Sequence, residues 1–88
     1  MSIEVGDYLV TVVHSTRGAI YRVEKVQQGE KIIGTGRGYR SGIPMEFWVD
    51  SETNEITLRV TASGSIVKCK HYTEFEFKIL LLERVCDV

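Results

Sequence analysis

The chain predicts an all-β domain, a small antiparallel β-barrel or strongly curled sheet of about six or seven strands. Three observations carry that prediction. Most apolar positions recur with a period of two, their runs are rich in β-branched and aromatic residues, and clusters of glycine, serine, asparagine and aspartate separate the runs. Eighty-eight residues, 43% hydrophobic and 26% charged, suit a single domain over 1–88 with one core and no room for a deep catalytic cleft.

The first strands are organised around Val5 to Val26. Gly6-Asp7 is a turn, and Tyr8 to Val13 carries apolar residues on both faces, as a central strand does. Ser15-Thr16-Arg17-Gly18 turns the chain into Ala19 to Val26, where Tyr21 and Val23 point inward and Arg22 and Glu24 outward. Val26 breaks that parity, which predicts a bulge near Glu24-Lys25 that helps the sheet curl. Val5-Gly6-Asp7, the strand and turn after it, and Gly18-Ala19-Ile20-Tyr21-Arg22-Val23 resemble the opening of SH3-like small barrels of the KOW and Tudor type. The resemblance covers about the first 26 residues. It implies a small barrel that binds proteins, methylated tails or nucleic acid through loops and one sheet face, and seldom an enzyme.

After the turn Gln27 to Glu30, Lys31-Ile32-Ile33 reads as a short strand at best. Gly34 to Gly42 then holds four of the eight glycines and reads as an irregular loop, closed by Ile43-Pro44. Met45, Phe47 and Val49 alternate with Glu46, Trp48 and Asp50, and after a turn at Ser51 to Asn54, Ile56, Leu58 and Val60 alternate with Thr57, Arg59 and Thr61, which predicts a hairpin with one apolar face. Trp48 falls on its polar side, where an indole is either covered by a neighbouring element, the commoner arrangement in small barrels, or offered to a partner. Val67 and Cys69 face in and Lys68 and Lys70 out. From Tyr72 to Val85, Phe75, Phe77, Ile79 and Leu81 alternate with Glu74, Glu76 and Lys78, so a long strand is preferred there over a short helix near Leu81 to Val85.

Net charge is −1, which excludes a strongly basic nucleic-acid protein and an acidic DNA mimic. The distribution is uneven: His14 to Met45 carries an excess of four positive charges, and Glu46 to Ile56 carries four acids and no base. Two such surfaces can steer a partner, and more commonly attract each other. No apolar run reaches the roughly 18 residues of a membrane span, and Met1 to Asp7 has no secretory pattern, so a soluble, complete cytoplasmic protein is expected, with Cys69 and Cys86 reduced and largely buried.

The glycine-rich stretch is not a dinucleotide loop, because Tyr39 takes the place of the third glycine and no helix pattern follows. It does set backbone amides beside Arg37, Arg40 and Tyr39, a combination that can bind phosphate, stack on a base or meet a protein; it can equally be a plain connection. His14, Cys69, His71 and Cys86 lack the local spacing of a zinc site, and Ser15 beside His14 is not a dyad because adjacent strand residues face opposite ways. No catalysis, metal or cofactor is expected.

The expected function is therefore a non-catalytic binding module. By analogy it is a small inhibitor of the kind that phages and mobile elements encode to block a host complex, contacting its partner through Arg17, Arg22, Arg37, Tyr39, Arg40 and Trp48. Nucleic-acid or nucleotide binding by the same arginines, or a structural assembly subunit, are the alternatives. Homodimerisation through an edge strand is plausible unless the barrel closes.

Overall fold

The computed structural model describes residues 2–11 and 19–86, with side chains through residue 81. Six strands, β1 (Tyr8–Thr11), β2 (Ile20–Gln28), β3 (Ile32–Gly38), β4 (Pro44–Val49), β5 (Ile56–Val60) and β6 (Ile66–Tyr72), are followed by helix α1 (Glu74–Cys86). Each strand pairs antiparallel with the next, and β6 pairs back onto β1 to close the barrel. The small all-β barrel expected from the sequence is thus present. Its closed architecture is consistent with a small SH3-like barrel. Closure gives every strand two neighbours.

The alternation read from the sequence sets the inside and outside of the barrel. Leu9, Tyr21, Val23, Met45, Phe47, Val49, Ile56, Leu58 and Cys69 form the buried core. The expected bulge lies between Val23 and Lys25, where the register of β2 against β3 shifts. Beside it, the N-terminal segment takes up the hydrogen bonds that β2 leaves open: Gly6 N–H donates to the Val23 carbonyl and Val23 N–H to the Asp7 carbonyl, both at 2.9 Å. Ile3, fully buried, plugs the core there, its carbonyl accepting from Gln28 Nε2 at 2.9 Å. Asp7 ties this segment to β6: Oδ2 lies 2.7 Å from His71 Nε2 and accepts the Glu4 N–H at 2.9 Å. The turn at Ser15 to Gly18, with His14 and Arg17, lies outside the described residues.

Two expectations are corrected. The glycine-rich stretch is not an irregular loop, since Gly34, Gly36 and Gly38 belong to β3 and only residues 39–43 turn. These glycines occupy consecutive inward positions of the strand, and at Gly34 and Gly36 the large inward side chains of β4 take the space their own would need, as Ser41 does at Gly38. Gly34 pairs with Phe47 and Gly36 with Met45. A β-carbon at Gly34 would strike the Lys25 carbonyl and lie 2.5 Å from Phe47 Cζ; one at Gly36 would strike the Arg22 carbonyl and lie 2.7 Å from Met45 Cε. Glycine here permits close approach at a sharply curled, bulged pair of strands.

The second correction is the C-terminal segment, which is helical from Glu74 onward. Thr73 caps it: the Glu76 N–H donates to Thr73 Oγ1 at 3.1 Å while Glu76 Oε1 accepts the Thr73 N–H at 2.9 Å, a reciprocal capping box. Those bonds hold the Glu76 carboxyl below the usual carboxylate range, the Thr73 backbone N–H contributing most. The cap is therefore complete above about pH 4.5, the ordinary value, and is lost as pH falls through the lowered one. Phe77 is the residue that seats the helix. It stacks on Tyr8 with ring centroids 3.9 Å apart, and Tyr39 meets both rings edge-on at 5.7 and 5.6 Å. Tyr8 is in this way covered from outside by α1 while its neighbour Leu9 fills the core, which accounts for a first strand buried on both faces.

Cys69 is a free thiol in the core, and burial pushes its pKa from 9.0 to about 12, with Lys68 offsetting part of the shift. The unfolded chain ionises first, so this group's contribution to stability falls between about pH 9 and 12. In a Cys86→Ser background, Cys69 is expected to resist alkylation at pH 8 until the chain is unfolded in urea; rapid labelling of the folded protein would show that this part of the core opens readily. Among the described residues, no helix is long and apolar enough to cross a membrane.

Candidate functional site

Strand register arranges the outward side chains of β2, β3 and β4 in three rows. Gln27, Ile33 and Trp48 form the first, Lys25, Thr35 and Glu46 the second, and Arg22, Arg37 and Pro44 the third. Four residues of β3 separate the first row from the third, a distance of about 13 Å. Two hollows lie along this face. One, of about 420 Å³, lies among Val5, Arg22, Glu24, Arg37 and Tyr39; the other, of about 480 Å³, lies among Lys25, Gln27, Ile33, Thr35, Glu46 and Trp48.

Of the side chains singled out from the sequence, the structure brings Arg22, Arg37 and Tyr39 together at one end of this face and sets Trp48 at the other. Trp48 is not covered: it is 36% exposed and sits opposite Ile33, itself 44% exposed, so the two form an apolar platform. Arg40 is exposed in the turn after β3. Tyr39 is half-engaged, because one side of its ring packs against Tyr8 and Phe77. Arg17 lies outside the described residues.

The charges sort into pairs. Arg37 Nε lies 3.2 Å from Glu24 Oε1, Arg59 from Glu46 at 3.4 Å, and Lys68 from Glu55 at 3.3 Å. Two acids of the acidic block, Glu46 and Glu55, are thereby paired with β5 and β6, while Asp50 feels both Lys68 of β6 and Lys31 of the basic third. Asp50 also builds the β4–β5 turn: its Oδ1 accepts the Glu52 and Thr53 N–H groups at 2.8 and 3.2 Å, which lowers its pKa. Each pair is solvent-exposed and adds little stability. What matters is the remainder: among the described residues Arg22 and Lys25 have no carboxylate within ion-pairing distance, and Arg22 stands directly opposite Arg37.

Ile33 and Lys25 were missed in the sequence. Their signal was available in principle, since reading Ile33-Gly34-Thr35-Gly36-Arg37 as a strand puts Ile33, Thr35 and Arg37 on one face. Of the metal-ligand candidates, Cys69 is enclosed in the core and His71 is engaged by Asp7, while His14 and the Cys86 side chain lie outside the described residues. Among the described residues no group of three or more His, Cys, Asp or Glu side chains is placed to hold a metal ion. Comparison of the chain with protein-family models, with curated proteins and with solved structures gives no match.

Proposed function

We propose that the chain is a non-catalytic protein-binding module, a small barrel of the KOW and Tudor type that presents the outer face of β2, β3 and β4 to a partner. In the manner of small inhibitors encoded by phages and mobile elements, it would act by covering a surface of a host complex. The observation that supports this reading most is the composition of the face. An exposed tryptophan and isoleucine share the face with arginines, and the face's two carboxylates, Glu24 and Glu46, are already paired with arginine. Aromatic and arginine side chains of this kind are enriched at protein interfaces, whereas a track for a polyphosphate chain does not carry acids along its length.

The test is capture from a bacterial lysate with nuclease present, comparing wild type with Trp48→Ala and Arg22→Glu variants of unchanged thermal stability. A stoichiometric protein held by wild type in 0.5 M salt is expected, with affinity lowered about 30-fold by Trp48→Ala, as for a central aromatic anchor. Nucleic acid that dissociates steeply with salt would favour the nucleotide-binding alternative. A partner held equally by all three proteins would place the contact elsewhere.

A further inference from the structure

We infer that this face takes an extended acidic segment of the partner, one that lays an apolar side chain on Trp48 and Ile33 and a carboxylate against Arg22 about four residues away. The inference rests on reading the face as a protein-binding surface and adds the chemistry of what binds there.

Charge comes first. On the outer face of β2 to β4 both acids are engaged, Glu24 by Arg37 and Glu46 by Arg59, so the charge left over is positive and belongs to Arg22 and Lys25. Arg22 stands opposite Arg37 in the strand register, and its Nη2 lies beside Gly6, where Glu74 Oε2 is also close but outside ion-pairing distance of it. An arriving carboxylate gains a charge-assisted hydrogen bond from Arg22, while on β2 to β4 an arriving cation meets only acids that are already paired.

Shape comes second. The apolar platform and the arginine row are fixed on the same three strands, about 13 Å apart, which is the reach of four residues of extended chain. Because the barrel is closed, such a segment cannot join the sheet as a seventh strand; it binds across the face through side chains, and the spacing of its own side chains sets the specificity. The lone tryptophan of the chain is part of the platform and reports occupancy by its fluorescence.

The experiment titrates the full chain with blocked ten-residue peptides free of tryptophan, built on a serine and threonine background. One peptide carries Phe and Glu four positions apart, in either order. Others replace Glu by Gln or by Lys, or bring Phe and Glu to two positions apart, and a twelve-residue oligothymidine serves as the polyanion. The Phe and Glu peptide of four-residue spacing should bind most tightly. The Gln peptide should be about two- to fivefold weaker, as suits one exposed ion pair, and the Lys peptide weaker still. In the Arg22→Glu protein the order of the Glu and Lys peptides should invert. Equal binding of all peptides, no change in Trp48 fluorescence with any of them, or failure of Arg22→Glu to invert the order would overturn the inference. If the Trp48→Ala variant nevertheless loses a captured protein, the protein-binding reading survives without it. Saturable binding of the oligothymidine with a steep salt dependence would remove both.

Discussion

Replacing Gly36 with valine is expected to cost about 3 kcal/mol or more, a large fraction of the whole stability of a domain this size. The added side chain points into the barrel, where it overlaps the Arg22 carbonyl and crowds Met45 Cε at 2.7 Å. Met45 could change rotamer, but the Arg22 carbonyl is backbone, and the next residue, Val23, is fastened by hydrogen bonds to both Gly6 and Asp7. The strand pair therefore cannot open at this point without releasing the N-terminal segment and its buried Ile3. Urea denaturation followed by near-ultraviolet circular dichroism measures the effect. Gly29→Ala, with no atom within 4 Å of the added carbon, is the control and should shift stability by less than about 0.5 kcal/mol. A wild-type midpoint for Gly36→Val would mean that this stretch is a loop after all.

Truncating Phe77 to alanine is the second large effect, about 3 kcal/mol of lost packing, and it should fall on one part of the molecule. The ring is fully enclosed between Tyr8 and Tyr39, and a 13-residue helix has little stability of its own in water. Amide exchange should accelerate through residues 74–81 while β3 to β5 keep their protection. Phe75, 72% exposed, is the internal comparison, and Phe75→Ala should change stability by less than about 0.5 kcal/mol. Were this segment a strand, the two phenylalanines would share a face and their substitutions would cost similar amounts. Equal losses from both variants would therefore contradict the helix.

These two places are also where the sequence misleads, for reasons that can be named. At Phe75, Phe77, Ile79 and Leu81 an alternation of two and a helical repeat compete over the same few residues, and the apolar Leu80 is the first position to favour the helix. The deciding signal was Thr73-x-x-Glu76, a capping box four residues wide that periodicity does not detect. At Gly34 and Gly36, local preference speaks for a loop, but the large side chains that make glycine necessary, Phe47 and Met45, stand on the next strand. Tertiary packing overrode local propensity there. By contrast β1, β2, β4, β5 and β6 were legible from alternation and turn residues, and so was the bulge, because a single parity break at Val26 marks it. The candidate face was legible only in part. Arg22, Arg37 and Trp48 could be picked by residue type, but that Ile33 completes the platform follows from the strand register, and the engagement of Tyr39 follows from the helix.

The most direct test of the account is an amide chemical-shift map of the isotopically labelled chain, bound to the protein that it captures. The perturbed residues should concentrate along the outer face of β2 to β4, at Arg22, Lys25, Ile33, Arg37 and Trp48, with the exposed side of α1 at Phe75 and Ile79 unaffected. Perturbations centred on Phe75 and Ile79, with Trp48 and Arg22 unchanged, would contradict it and assign the partner to the helix.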